Sequence, residues 1–272
     1  MNVVDRALII RRPTNQLSQE YSKVTANTLD RCNTPYEFID AIERLPLKQA
    51  AKAVGMKVPA SKPEGTNNTI FDHPEGYEQG NVCCTASHVL AWKRIVELDT
   101  PCAILEHDAI VYRNFLNVEI ADNMLFFLGV RLRDPNLYTP KSRPNQVLRI
   151  GQAVGTHAYA ISPVTAKALL AEFEEHGFIW NVDHFLFMSN ECRLPIIAMD
   201  PYPAACWSRN SSMMDHAEVP KQTEGFLSGF KDDPFVQARG VIQGINDQNM
   251  FGSMTPGFLE GMGIPIHYQV NR

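Results

Sequence analysis

The sequence predicts an α/β protein built on a Rossmann-like sheet, and three observations carry that prediction. Short apolar runs of strand length recur at Ala7–Ile10, Cys102–Leu105, 124–130 and Leu194–Met199. Polar stretches with helical spacing stand between them. Two acids, Glu106 and Asp108, interrupt the apolar run at 101–112 and sit at the carboxyl end of a central strand, where open α/β sheets place their ligands.

The first run, Ala7–Ile10, reads as a strand, followed by the turn Arg11-Arg12-Pro13-Thr14-Asn15. Leu17–Cys32 has helical spacing, and Tyr36–Ile42 reads as a second strand ending near Asp40. Together they form a β-α-β unit, the start of a parallel sheet. Residues 55–81 are rich in Gly, Pro, Asn and Lys and read as a long surface excursion. Thr85–Leu98 places Val89, Trp92, Ile95 and Val96 on one helical face. Residues 124–130 form a further buried strand. Thr156–Ile161 is a short one. Ser162-Pro163 then opens a helix, with Ser as cap and Pro at the first helical position, and Gly177 closes it. Half of the sixteen glycines lie beyond Lys221. The chain therefore divides into a domain over 1–221 and an irregular Gly-rich extension over 222–272, wrapped on the domain or on a partner.

Composition narrows the class. With 272 residues, 44% of them hydrophobic, the chain can bury a real core. A net charge of −5 gives no global attraction to nucleic acid or anionic membrane. No apolar stretch approaches the length that spans a bilayer, and the N-terminus reads as a first strand and not as a signal peptide. Six cysteines show no short metal-type spacing and read as reduced thiols in a cytoplasmic compartment.

On an extended chain Glu106 and Asp108 project to the same side. Two carboxylate ligands suit a hard divalent ion, Mg²⁺ or Mn²⁺. The competing reading is a strand end that turns into solvent, where acids are harmless.

Three segments together resemble glycosyltransferase family 25, the group of lipooligosaccharide and collagen galactosyltransferases. Gly80-Asn81-Val82-Cys83-Cys84-Thr85-Ala86-Ser87-His88, continuing to Trp92, is similar to the family's Gly-x-x-Gly-Cys-x-x-Ser-His stretch. Leu105-Glu106-His107-Asp108 is similar to Leu-Glu-Asp-Asp. Gly155-Thr156-His157-Ala158-Tyr159-Ala160-Ile161-Ser162, then Ala166, is similar to Gly-Thr-x-Ala-Tyr-x-Ile-Ser-x-x-x-Ala, and Asn181-Val182-Asp183 to the Pro-Val-Asp that follows. His107 departs from the family's Asp, and the first strand ends Ile-Arg-Arg-Pro where Asn-Leu is usual.

The resemblance implies a GT-A type domain that takes a nucleotide-diphospho-sugar, most simply a UDP-sugar. It implies transfer of a hexose or pentose to a hydroxyl with inversion. It assigns Glu106 and Asp108 to Mn²⁺ or Mg²⁺ on the donor diphosphate, where a Lewis acid neutralises the leaving group. Asp183 becomes the general base or acceptor-orienting group; alternatively it caps a helix beginning at His184. His184 is a weaker third metal ligand. Ser87 and His88, near a helix start, would contact donor phosphates; alternatively Ser87 or Thr85 caps that helix. Trp92 belongs to the core. Arg11, Arg12 and Asp40, at the first two strand ends, would meet base and ribose, or are solvated charges.

Residues 131–149 hold Arg131, Arg133, Lys141, Arg143 and Arg149 against one acid, Asp134. This loop would attract an anionic acceptor, a phosphoglycan or modified DNA, unless it is a solvated face. The acceptors in play are a glycan, a protein hydroxyl and a hydroxymethylated DNA base. The rival classes are a catalytically inactive nucleotide- or glycan-binding relative, which His107 permits, and a metal-dependent phosphohydrolase.

Overall fold

A computed structural model of the chain describes residues 2–66, 69–72, 78–111, 114–116, 118–132, 146–150, 155–188, 192–200 and 202–207. The extension over 222–272 lies outside these residues, as do Arg133, Lys141 and Arg143.

The opening β-α-β unit forms as its pattern requires. Strand β1 (Arg6–Arg11) leads to helix α1 (Gln16–Arg31), then to β2 (Tyr36–Asp40). Asn15 caps α1, its side chain accepting from the Ser18 N–H at 2.8 Å. β1 and β2 pair in parallel, with Arg11 opposite Asp40. A short helix α2 (Leu47–Ala53) and a single 3₁₀ turn at Ile70–Asp72 follow. Residues 55–81 are not wholly a surface excursion: Thr69 and Ile70 are buried, and Thr69 bridges to Trp180.

Helix α3 runs over Glu78–Leu98 and starts earlier than its apolar spacing indicates. The Gly80-to-His88 motif therefore lies within the helix, not ahead of it. Strand β3 (Cys102–Glu106) pairs in parallel with β1, setting Ile10 opposite Glu106. The strand stops at Glu106, and His107 and Asp108 lie in a turn closed by the Ala109 N–H on the Glu106 carbonyl at 3.0 Å. The simple alternation that aligned Glu106 with Asp108 requires an extended chain, and the turn removes it.

After β4 (Ile110–Val111), the apolar run 124–130 forms two strands, β5 (Leu125–Phe127) and β6 (Gly129–Leu132). They belong to different sheets, so Leu128 hydrogen-bonds Ala158 through its N–H and Ala204 through its carbonyl. Gly129 is required there, because a Cβ would come within 2.6 Å of His157 Nε2. The ends of the basic stretch are strands as well, Arg131 in β6 and Arg149 in β7 (Gln146–Ile150). Strand β8 (Ala158–Ile161) leads into helix α4 (Pro163–His176). Ser162 caps α4 by accepting from the Thr165 N–H, and Gly177 ends it at φ +86°. A π-helical turn at His184–Met188, β9 (Ile196–Asp200) and β10 (Ala204–Trp207) complete the described chain.

The main sheet has seven strands in the order β2-β1-β3-β8-β5-β9-β7, and β4-β10-β6 form a second, three-stranded sheet. β2, β1 and β3 are parallel, whereas β8 runs antiparallel to both β3 and β5. The fold is thus mixed α/β. Alternation sorts β1 and β3 into two cores. Leu8, Ile10, Cys102 and Ile104 pack with Trp92 of α3 and Phe173 of α4. Ala7, Ile9, Ala103 and Leu105 pack with Ala26 and Leu29 of α1. By the same alternation Glu106, the last residue of β3, shares the α3 side with Ile104.

Candidate active site at the end of β3

The site assembles around Glu106. On its α3 side lie Cys84 and His88, one helical turn apart and so on one helix face. One ligand atom from each of Cys84, His88 and Glu106 lies within 4.8 Å of the others. His88 Nε2 is 3.5 Å from Glu106 Oε1. The imidazole is fully buried, and its Nδ1 lies 2.9 Å from the Tyr159 hydroxyl. Trp92 donates to the same phenol oxygen at 2.8 Å. Indole is a donor only, so this bond sets one lone pair of Tyr159, and the proton between Tyr159 and His88 can sit on either. Burial pushes the Tyr159 phenol well above its ordinary value and keeps it protonated.

On the other flank, Thr156 Oγ1 lies 2.6 Å from Glu106 Oε1 and 2.6 Å from Asp183 Oδ1. β8 supplies this flank, because the strand follows Thr156 and its antiparallel pairing with β3 is extended by the Glu106 N–H on the His157 carbonyl. A hydroxyl has one proton. It can satisfy one carboxylate, and the second contact is completed by a shared proton or by a cation. Burial alone would raise the Glu106 carboxyl. The facing His88, the Thr156 hydroxyl and His157 outweigh that and hold it at about 2, so it is ionised at neutral pH.

Asp183 does not cap the turn that follows it. Asn181 does, its side chain accepting from the Asp183 N–H at 3.1 Å and its carbonyl from the Phe185 N–H at 2.9 Å. The Asp183 carboxylate is left to face Thr156. Thr85 fastens this segment to α3: its hydroxyl donates to the Trp180 carbonyl at 3.3 Å and accepts from the Val182 N–H at 3.1 Å.

The other predicted residues fall in several places. Ser87 and His88 lie deep in α3, so the helix-start reasoning for phosphate contact fails for both. Ser87 and Thr85 are not helix caps either; Ser87 donates to the Cys83 carbonyl at 2.6 Å and accepts from the Ile42 N–H at 3.0 Å. Trp92 is core, as expected. Asp108 is buried, and His184 is half-buried in its turn; neither joins the Cys84–His88–Glu106 group. His107 is buried with its ring 6.2 Å from Tyr21, and its carbonyl accepts from Thr25. Arg11 pairs with Asp40 at 2.9 Å and stacks 4.3 Å from Phe38, while Arg12 pairs with Glu43 at 3.3 Å. The strand pairing sets Arg11, Asp40 and Glu106 along one edge of the parallel half of the sheet. Sequence reasoning missed Cys84 and Thr156 as members of the site. Both stood inside the quoted motifs, and the i,i+4 spacing of Cys84 and His88 was the available signal for the first.

A hard ion asks for oxygen donors. Glu106 and the Thr156 hydroxyl beside it provide them on the β8 flank, so this flank fits Mg²⁺ or Mn²⁺. The thiol and imidazole on the α3 flank are softer.

The model of glycosyltransferase family 25 (LPS biosynthesis protein) matches residues 15–125. The resemblance drawn from the motifs is thereby shown over α1 to the start of β5, including Cys84, His88, Glu106 and Asp108, and it supports a glycosyltransferase. Such an enzyme implies a nucleotide-sugar donor and an acceptor. No curated protein matches the chain. Among the described residues no helix is long and apolar enough to cross a membrane.

Proposed function

We propose that the chain is a metal-dependent glycosyltransferase of GT-A type. It moves a hexose or pentose from a nucleotide-diphospho-sugar, a UDP-sugar in the simplest case, to a hydroxyl of a larger acceptor, with inversion. The observation that carries this reading is the Thr156 bridge. It joins the acid at the end of β3 to Asp183 through one hydroxyl, at 2.6 Å on each side.

Asp183 takes the proton of the acceptor hydroxyl or orients that hydroxyl for attack. Thr156 fixes the Asp183 carboxylate relative to Glu106. Glu106 on its oxygen flank, together with Asp108 from the turn after β3 and not from an extended strand, would hold the Mn²⁺ or Mg²⁺, which when bound would supply charge neutralisation at the leaving diphosphate. Arg11, Arg12 and Asp40, on the same sheet edge, would meet the nucleotide base and ribose. His88 acts by setting the charge and position of Glu106, and Ser87 holds α3 against the segment after β2. The acceptor is a glycan, a protein hydroxyl or a hydroxymethylated DNA base, anionic if the basic stretch 131–149 receives it. No disulfide joins the six cysteines, which supports a cytoplasmic site of action.

A screen of UDP-sugars with Mn²⁺ or Mg²⁺, reading nucleoside diphosphate release, tests the proposal. Release that requires the divalent ion and disappears in Asp183→Asn is expected. A chain that binds sugar nucleotides without release would be an inactive relative, and one that ignores them would refute the reading.

A further inference from the structure

We propose that Cys84, His88 and Glu106 form a binding site for a zinc-class divalent ion, distinct in donor chemistry from the hard-ion flank at Thr156. The inference goes beyond the transfer reading and shares Glu106 and His88 with it, while Cys84 belongs to the inference alone. Three donors of different softness converge within 4.8 Å. A thiolate and an imidazole select Zn²⁺ over Mg²⁺ or Mn²⁺. Three protein ligands with one position left for water or substrate is the ligand count of catalytic zinc centres.

The histidine carries the second, independent observation. His88 is fully buried. Its Nε2 has no hydrogen-bond partner and faces Glu106 Oε1 at 3.5 Å. Its other nitrogen is anchored 2.9 Å from the Tyr159 hydroxyl, which Trp92 holds in turn. Metal-bound histidines are oriented in this way, by an outer partner on the nitrogen that does not ligate. The Tyr159 oxygen has a second lone pair for the Nδ1–H, so Nε2 is the ring nitrogen left to ligate an ion held between it and Glu106.

Charge also balances. On binding, the Cys84 S–H releases its proton to solvent and a sulfur–metal bond forms, with no change of oxidation state. One thiolate and one carboxylate then offset the two positive charges of the ion. Cys84 is half-buried, which leaves the site a route to solvent.

The test uses the full chain, stripped of metal with a chelator and titrated with Co²⁺. The readout is the near-ultraviolet charge-transfer band that only a thiolate–cobalt bond gives. A band that saturates at one ion per chain and is abolished by added Zn²⁺, but not by equal Mn²⁺, is expected. Cys84→Ser should lose the band and bind Zn²⁺ at least about 100-fold more weakly, since loss of an outer-shell partner alone costs about 10–100-fold. Cys83→Ser, with its thiol turned to the Leu45 carbonyl, should keep the band. Melting of each metal-free variant separates lost binding from lost folding. Absence of a band in the wild-type chain, or a band that Cys84→Ser retains, overturns the site. Manganese-dependent transfer without the cobalt band would overturn this inference alone. A cobalt band without any transfer would overturn the transfer reading alone.

Discussion

Glu106 stands between two flanks that differ in chemistry and in construction. The α3 flank offers sulfur and nitrogen from Cys84 and His88, residues one turn apart on a single helix. The β8 flank offers oxygen from Thr156 and Asp183, residues 27 apart in the chain. The first lies within the segment that matches the family, 15–125, and the second lies beyond it. A helix brings donors together by its own period, and little else is needed. The oxygen flank needs an antiparallel strand beside β3 and the Asn181 turn before Asp183. One carboxylate at the end of a buried strand can thus be served by a local element and a non-local one. Ligand selectivity depends on which flank dominates.

The largest expected effect breaks the oxygen flank. Asp183→Asn should lower turnover by about 10²–10⁴-fold, the usual range for loss of a general base. Donor affinity and Co²⁺ binding should change little. Steady-state kinetics beside equilibrium donor titration checks this; a variant with near wild-type turnover would remove Asp183 from the chemistry.

Next in size is the acid limb of stability in metal-free protein. The Glu106 carboxyl is lowered from 4.5 to about 2 in the folded chain. Its ionised form is therefore favoured by folding. That contribution is fully present above about pH 5 and is lost as pH falls through 4.5 toward 2. It amounts to roughly 3 kcal/mol at most. Urea unfolding across pH 2–7 should show the loss, and Glu106→Gln should flatten it. An unchanged acid limb in Glu106→Gln would show that other carboxylates set it.

Thr156→Val keeps shape and deletes the bridging hydroxyl. It should reduce kcat by about 10- to 100-fold, since a hydrogen bond to a charged group is worth about 1.5–3 kcal/mol. KM for the donor should hold. A shift in donor KM alone would place Thr156 in ground-state binding.

The smallest effect concerns the acceptor. Neutralising Arg131, Arg133, Lys141 and Arg143 should raise acceptor KM and weaken its salt dependence, because exposed charges act over roughly 10 Å at 0.1 M salt. Both flanks of Glu106 should be indifferent to that change. A KM independent of salt in the wild-type chain would make 131–149 a solvated face.

Much of the fold was legible because its signals are short-range. The turn at Arg11–Asn15, the Ser162-Pro163 helix start, Gly177 and the apolar runs of β1 and β3 each act over a few residues. They gave β1, α1, β2, α4 and the strand that ends in Glu106. The role of Trp92 as core followed from helical spacing in the same way. These features follow from backbone sterics and side-chain periodicity, which travel with the chain wherever it packs.

The remainder was decided by tertiary structure. The N-terminal turns of α3 form without any break at Gly80, so Ser87 and His88 are interior and not at a helix start. The apolar run 124–130 is shared between two sheets at Leu128, with His157 pressed against Gly129. The antiparallel insertion of β8 between β3 and β5 sets Thr156 against Glu106, and Asn181 frees Asp183 from capping. The strand pairings among these have no local signature. They depend on which backbone groups find partners tens of residues away, and a buried N–H or carbonyl must find one somewhere. Sequence by itself thus identified the acid at the strand end and the family motif around it. Only the packed chain could choose that acid's neighbours, because non-local pairing and exclusion of water, not residue identity alone, determine which polar groups meet.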